Sequence, residues 1–360
     1  MSSLSIVLPP RFAASCLLGL LYHIDTTYQL SYDGEKVTIR GPDVLAALKD
    51  VLTTAEQMLK RRQRARMNIP ANKNDKKIVR EFMSAYELGA NATVLDLIGV
   101  LKSNPTANVG QFKLPSILKP EYYEFNRVPG YTGTENAKKM LQSYPGLSIA
   151  LSIVGYMVCR VGVTKIDNNE RVSVVVTPEF VAGEQRYVID PGYRLSTFVD
   201  SFNALDRLQV ARNGVFTGLF PEVALHLWMA LQMKSAKINL HAIREPGGQN
   251  PATIYSSMSI DLEPTYRAMN RYDLYKVSKH VEYIVEKALN IGVKQDVRSL
   301  CMRLATLLYE VLNNTQELSE FVYVASRENL QLQTQTHRNQ DVYWVSVHAA
   351  RIAHHLSRFL

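Results

Sequence analysis

The chain has few of the residues that build disulfide frameworks, metal centres and membrane spans. Its 360 residues include three cysteines, Cys16, Cys159 and Cys301, whose wide spacing forms no metal-binding motif. Scattered, unpaired cysteines are typical of a reducing compartment, so we expect a cytoplasmic protein. The apolar run Leu147–Cys159 has 13 uncharged residues, whereas a membrane-spanning helix needs about 20. The sequence therefore predicts no membrane span.

The sequence also lacks the short motifs of common active sites. It has no glycine-rich phosphate loop and no paired histidines, cysteines or aspartates at metal-ligand spacing. His354 and His355 are adjacent, so on a helix they would point about 100° apart and make a poor ligand pair. We predict that the chain is not an enzyme and holds no cofactor or metal. A nuclease site built from distant carboxylates would leave no local motif, so this alternative stays open.

What the sequence does have is a concentration of positive charge, which we call the basic segment. Residues 60–80, KRRQRARMNIPANKNDKKIVR, hold nine basic side chains and one acid, a net charge of +8 that equals that of the whole chain. Nucleic acid is the favoured partner, because each neutralised phosphate releases a counterion. An anionic membrane surface or a solvated loop are the alternatives. The residues predicted to contact nucleic acid are Arg61, Arg62, Arg64, Arg66, Lys73, Lys76 and Lys77.

Local patterns place the basic segment across the ends of two helices. Pro42 opens a long amphipathic helix that runs into the arginines. Pro70 lies in a loop, and a second helix is predicted from about Asp75 to Leu88. The segment is thus predicted to be a helix end, a loop and a helix start.

The order of elements predicts an α+β fold of two domains. Residues 1–263 show a mixed α/β pattern with antiparallel hairpins, such as the one signalled by Asp33-Gly34. Residues 264–360 show no strand signal and four apolar helical stripes, which predict an all-α helical bundle. Between two alternating strands lies Arg244–Pro251, REPGGQNP, whose two prolines and two glycines predict an exposed turn.

The last predicted helix carries a second basic face. Trp344, His348, Arg351, His355 and Arg358 recur there at helical spacing. Arg351 and Arg358 are predicted to form a further nucleic-acid contact. A solvated helix face is the alternative.

The whole layout, with the segment from Phe220-Pro221-Glu222 to Leu262 at its centre, resembles the large subunit of archaeal type I-A CRISPR effector complexes, which are Cascade-like antiviral defence particles. The resemblance implies a non-catalytic, DNA- and RNA-binding subunit that contacts guide RNA and probes the protospacer-adjacent motif of target DNA. It also implies other effector subunits and a separate helicase-nuclease as partners. On this resemblance, the residues that probe the duplex are Lys237, Arg244, Gln249 and Asn250.

Two other functions are compatible with the same sequence. An RNA-coating nucleoprotein would also be basic, two-domain and non-enzymatic, and it would self-assemble into rings or filaments. A metal-dependent nuclease would cleave nucleic acid as a purified chain.

Overall fold

The computed structural model describes residues 1–62, 68–89, 91–107, 109–166, 170–179, 187–211, 215–216, 222–232, 237–290, 292–333 and 340–360. The strands are β1 (Ser2–Val7), β2 (Gln29–Tyr32), β3 (Lys36–Gly41), β4 (Gln111–Lys113), β5 (Ser143–Pro145), β6 (Arg160–Ile166), β7 (Glu170–Pro178), β8 (Tyr187–Ile189), β9 (Val215–Phe216), β10 (Lys237–Arg244) and β11 (Thr253–Asp261). The helices are α1 (Arg11–Leu21), α2 (Val44–Arg61), α3 (Lys73–Ala85), α4 (Val94–Ser103), α5 (Pro120–Phe125), α6 (Glu135–Leu141), α7 (Gly146–Cys159), α8 (Pro191–Tyr193), α9 (Asp200–Ala211), α10 (Glu222–Gln232), α11 (Glu263–Arg271), α12 (Ser278–Leu289), α13 (Gln295–Leu312), α14 (Leu318–Gln333) and α15 (Gln340–Leu356).

This set of elements confirms the predicted α+β class. The chain forms two compact units: the first comprises residues 1–161, 171–202 and 238–259, and the second comprises residues 162–170, 203–237 and 260–360. The second unit therefore includes residues on both sides of position 263, and the division into domains 1–263 and 264–360 stays a prediction. No helix in the described part of the chain is both long and apolar enough to cross a membrane.

The first unit contains the predicted hairpin, formed by β2 and β3. Strands β1, β3, β2 and β8 form an antiparallel sheet in that order, and Ile39 lies opposite both Leu4 and Leu30. At the hairpin turn, the Asp33 carboxylate accepts hydrogen bonds from the backbone N–H groups of Glu35 and Lys36. Gly34 has φ +88°, a conformation that glycine adopts without steric cost.

The core of the first unit is the packing of α1 against α7. Helix α7 is buried along nearly its whole length, which explains its uninterrupted apolar sequence. A Cβ atom on Gly155 would lie 2.1 Å from the carbonyl oxygen of Cys16, and one on Gly19 would lie 2.6 Å from the Cys159 Sγ. The two glycines therefore permit close contact between the helices. The cysteines are packing residues, and burial raises the pKa of Cys159 to about 12.

Arg62 caps the buried C-terminal end of α7. Its Nη1 donates hydrogen bonds to the carbonyl oxygens of Met157 at 3.0 Å and Val158 at 2.8 Å, in the last turn of that helix. Its guanidinium also lies 5.5 Å from the ring centroid of Phe202. The last carbonyl groups of a helix have no partner within the helix, and a cation suits the negative end of its dipole. Arg62 was predicted to contact nucleic acid, but the structure buries it as a helix cap.

The second unit contains the predicted bundle. Helices α12, α13, α14 and α15 pack against one another, and most of the apolar stripe of α13 is buried, including Cys301 and Leu304. A buried histidine on α10 contacts two other helices of this unit: His226 Nε2 is 3.1 Å from the Thr265 hydroxyl, and its ring meets Tyr309 edge-on. Burial lowers the pKa of His226 to about 4, so this imidazole is neutral at physiological pH.

Replacing Arg62 with methionine tests its role as a cap. Because the variant leaves buried carbonyl groups without a charged donor, we expect the free energy of unfolding to fall by about 2–3 kcal/mol in urea titrations. The matched control is Lys49→Met, on the exposed side of α2, which should change stability by less than about 0.5 kcal/mol. Equal stabilities of the two variants would show that the buried guanidinium contributes nothing net.

Glu121 provides a pH-dependent contact in the same unit. Its Oε1 accepts a hydrogen bond from the Phe12 N–H at 2.9 Å, in the first turn of α1. Burial raises the pKa of this carboxyl from its usual range to about 7, although the Phe12 hydrogen bond and the charge of Arg11 oppose the shift. The folded protein therefore keeps a proton on Glu121 that the unfolded chain releases above pH 4.5.

Glu121→Gln should isolate the contribution of this carboxyl to the pH dependence of stability. Below pH 4.5 both side chains are neutral in both states. Between pH 4.5 and 7 the wild type loses stability as pH rises, because the unfolded chain binds fewer protons than the folded chain. The stability of the variant relative to wild type should therefore increase by about 3 kcal/mol across this window. The exposed Glu124→Gln on the same helix is the control, and a pH-independent difference for Glu121→Gln would contradict the assignment.

Candidate nucleic-acid interface

The second half of the basic segment is built on a capped helix. Asn72 accepts a hydrogen bond from the Asp75 N–H through Oδ1 at 2.8 Å, and Asp75 Oδ2 accepts one from the Asn72 N–H at 3.4 Å. This reciprocal pair is a capping box, which defines the start of α3. The predicted second helix is thus confirmed, beginning two residues earlier, at Lys73.

The only acid of the basic segment is buried. Asp75 is 2% exposed, and its carboxylate also accepts hydrogen bonds from the Ser116 N–H at 2.9 Å and from the Ser116 hydroxyl. The same Ser116 oxygen accepts a hydrogen bond from the Ala252 N–H at 3.1 Å. The Asp75 charge therefore anchors α3 internally, while the basic side chains of that helix face solvent.

Four basic side chains are exposed on α3. Lys73, Lys76, Lys77 and Arg80 are all in its first eight residues. Cations near the first turn of a helix are unfavourable for stability, because this end of the helix dipole is already positive. The lysines and the helix end together create a positive surface that a bound phosphate would stabilise.

The predicted turn between β10 and β11 is tight and exposed. Gly247 and Asn250 exchange two backbone hydrogen bonds, and all four residues of the turn are exposed. Gly248 has φ +56°, so the first central position of the turn favours glycine. The side chains of Gln249 and Asn250 are not needed to close this turn.

Hydrogen bonds and an ion pair fix the chain at Glu245, directly before the turn. Glu245 Oε1 accepts hydrogen bonds from Arg160 Nη1 at 2.8 Å and from the Ser173 hydroxyl at 2.5 Å. The Glu245 N–H donates to the carbonyl oxygen of Arg171. This largely buried ion pair holds the strand end that leads into the turn.

The structure brings the basic helix and the turn together. The Lys73 N–H donates a hydrogen bond to the carbonyl oxygen of Gly248 at 3.0 Å. The two regions are about 175 residues apart in sequence and were predicted separately. We call the exposed residues Lys73, Lys76, Lys77, Arg80, Gln249 and Asn250 the lysine–turn surface.

Lys119 and Lys113 add positive charge near the buried anchor, and the sequence prediction did not include them among the site residues. Burial lowers the pKa of Lys119, the Asp75 carboxylate opposes that shift, and the charge of Lys113 contributes to it. Lys113 is exposed at the end of β4. The Lys119 ammonium lies about 6 Å from the rings of Tyr122 and Tyr123, so these aromatics pack against a cation of their own chain.

Five further residues predicted to contact nucleic acid lie outside the lysine–turn surface or outside the described side chains. Arg61 is exposed at the end of α2, whereas Arg64 and Arg66 lie outside the described residues. Lys237 begins β10, but its side chain lies outside the described part. Arg244 is exposed at the end of the same strand.

The predicted basic face of the second unit is only partly on the surface. Arg351 and Arg358 are exposed. His348 stacks on Tyr283 with ring centroids 3.9 Å apart, and its Nδ1 lies 2.9 Å from the Nδ1 of His280. His355 Nε2 lies 2.8 Å from the carbonyl oxygen of Tyr272 and is buried. The two histidines are therefore packing residues, and the two arginines remain as candidates.

The family of the chain follows from a comparison with family models. The model of the CRISPR-associated protein CsaX matches residues 42–329, well over half of the chain. The chain belongs to the CsaX family. The matched region includes α3 and the turn of the lysine–turn surface, and membership indicates a role in a CRISPR system. No curated protein matches this chain.

Among the described residues, no group of three or more His, Cys, Asp or Glu side chains could hold a metal ion.

Proposed function

We propose that this CsaX-family protein is the non-catalytic, nucleic-acid-binding large subunit of a type I-A CRISPR interference complex. In this role it contacts guide RNA and probes target DNA at the protospacer-adjacent motif, while other subunits and a helicase-nuclease complete the reaction. Its membership of a CRISPR-associated family supports the setting. The observation that carries the DNA-probing role is the hydrogen bond from Lys73 to Gly248.

That hydrogen bond holds α3 next to the turn. DNA recognition requires two kinds of contact, and each of these regions can supply one of them. Lysines hold phosphates and fix the position of the protein on the duplex, while base edges carry the sequence. Lys73, Lys76 and Lys77 supply the first kind of contact. Gln249 and Asn250 supply the second, since both amides can pair with adenine in the major groove.

The geometry of the turn suits close approach to a groove. Gly247 and Gly248 have no side chains that would separate the backbone from the bases, and no heavy atom lies within 4 Å of a Cβ built on either one. Because the chain before the turn is held through Glu245, the turn loses less conformational entropy on binding. Arg351 and Arg358 of the second unit are proposed as additional phosphate contacts.

Neutralising the three lysines tests the phosphate contacts. For Lys73→Gln, Lys76→Gln and Lys77→Gln combined, we expect weaker binding to duplex DNA, measured by fluorescence anisotropy from 50 to 300 mM salt. If each lysine meets one phosphate, the slope of log affinity against log salt should decrease by about 3. A control variant with Lys49, Lys138 and Lys294 changed to Gln carries the same charge change at other exposed sites. Equal slopes for the two variants would contradict a specific role of α3.

Removing the two amides of the turn tests base recognition. Gln249→Ala with Asn250→Ala should change stability by less than about 0.5 kcal/mol, because the turn is closed by backbone atoms. Discrimination between DNA with and without the preferred flanking motif should decrease by about 1–3 kcal/mol per lost bidentate contact, with non-specific affinity unchanged.

The matched control for the amides is Asn270→Ala with Gln316→Ala, two exposed amides elsewhere in the chain. Affinities would be measured in parallel on the two DNAs for wild type and both variants. If the turn variant discriminates as well as wild type, the turn has no recognition role.

A further inference from the structure

The first unit contains a pocket of about 800 Å³ that the proposed function does not use. Its lining comes from the start of α1, the hairpin of β2 and β3, helices α5 and α6, and the strands β10 and β11. None of its lining residues belongs to the lysine–turn surface. The volume exceeds that of a single nucleotide and lies within the range of small-molecule sites.

Three of the polar side chains in the lining, Glu121, His241 and Ser257, take part in hydrogen bonds. Glu121 is held by the Phe12 N–H, and His241 is held through Nδ1 by the Ser257 hydroxyl at 2.8 Å and through Nε2 by the Thr177 hydroxyl at 3.1 Å. Burial lowers the pKa of His241 to about 4, so the imidazole is a neutral group. Both ring nitrogens of His241 are thus already hydrogen-bonded and fix that side of the lining. The carboxyl of Glu121 and the hydroxyl of Ser257 have further hydrogen-bonding capacity. They suit a ligand with polar edges, and a purely apolar ligand would leave them unmatched.

Part of the pocket wall is apolar and aromatic. Phe125 is 43% exposed, although an aromatic ring of this size is normally buried. Its ring is oriented by Tyr131, with centroids 5.7 Å apart. An exposed ring in a pocket wall is a surface on which a planar ligand can stack. The other apolar lining residues are Val7, Leu8, Pro9, Pro10, Phe12, Tyr144 and Ile254.

Cations from three separate elements also line the pocket. Arg11 begins α1, Lys36 begins β3 and Lys139 lies on α6, and all three are exposed. Two exposed acids, Glu35 and Glu124, belong to the same lining, so the exposed part carries an excess of positive charge. The first turn of α1, where Glu121 binds the Phe12 N–H, adds the positive end of a helix dipole. This charge suits a phosphate group.

We propose that the pocket receives one unstacked nucleobase of a bound nucleic-acid strand. The base stacks on Phe125 and meets Glu121 and Ser257 with its polar edge, and its phosphate lies among Arg11, Lys36 and Lys139. An apolar slot with polar groups inside and cations outside matches a nucleotide better than a lipid, which lacks the polar edges, or a sugar, which lacks the planar apolar faces.

The inference rests on the proposed function, which supplies the nucleic-acid strand whose base enters the pocket. The hairpin that carries the turn at Gly247–Asn250 also contributes Ile254 and Ser257 to the pocket. Ile254 follows Asn250 by four residues, or roughly 13 Å along an extended strand. At about 3.4 Å per nucleotide, a strand held at the turn covers that distance in about four nucleotides.

Binding of AMP, with ribose 5-phosphate as the base-free probe, tests the pocket directly. Isothermal titration of the full chain should show one saturable site for AMP, and ribose 5-phosphate should bind at least tenfold more weakly.

Phe125→Ala should weaken AMP binding roughly tenfold, because it removes the stacking surface. Phe359→Ala, a similarly exposed ring (42%) in the second unit, is the control and should leave AMP binding unchanged. Ser257→Trp, which places a large side chain in the pocket lining, should block AMP while circular dichroism confirms the fold.

Three results would overturn the inference: no saturable AMP binding, equal affinity for ribose 5-phosphate, or unchanged AMP binding in both the Phe125→Ala and the Ser257→Trp variants. DNA binding by the variant with Lys73, Lys76 and Lys77 changed to Gln shows whether the pocket inference or the proposed function has failed. If AMP binds and DNA binding does not depend on the lysines, the proposed function fails alone. If DNA binding depends on the lysines and AMP does not bind, the pocket inference fails alone.

Discussion

The candidate interface depends on one buried carboxylate. Asp75 pairs with Asn72 at the start of α3 and with Ser116 in the turn before α5, and Ser116 in turn holds the Ala252 N–H beside the exposed turn. A buried carboxylate is costly unless it is hydrogen-bonded, so separating these segments would leave its charge without partners. This network holds three distant stretches of the chain together, and it places the Lys73 backbone against Gly248.

The charged residues of the basic segment are divided between the interior and the surface of the protein. Arg62 is used inside the protein as the cap of α7, and Asp75 is used inside as an anchor. The lysines of α3, by contrast, lie at the end of a helix where their charge opposes the helix dipole. Local arrangements that cost stability are expected where function requires them. A phosphate backbone would convert this cost into binding energy.

Local sequence signals predicted the local structure well. Asp33-Gly34 indicated the hairpin, Pro42 indicated the start of a long helix near α2, and the prolines and glycines of residues 244–251 indicated the exposed turn. These features follow from the conformational preferences of neighbouring residues. The apolar stripe of α13 likewise gave both its helix and its buried face.

Contacts between distant residues left no such signal. The inward position of Arg62 depends on carbonyl groups about 95 residues further along the chain, and the anchor of Asp75 depends on Ser116. A run of basic residues looks the same whether one arginine turns inward or not. The pocket is equally hidden in the sequence, because Glu121, His241 and Ser257 come from three elements that only the fold brings together.

The most direct test of the account is to isolate the protein from its native host and sequence the RNA that accompanies it. The chain and the variant with Lys73, Lys76 and Lys77 changed to Gln would be purified in parallel under the same salt conditions. The account predicts that the wild-type protein purifies with other effector subunits and with guide RNA that carries CRISPR repeat sequence at its 5′ end. Purification without nucleic acid, or with RNA unrelated to CRISPR repeats, would contradict it.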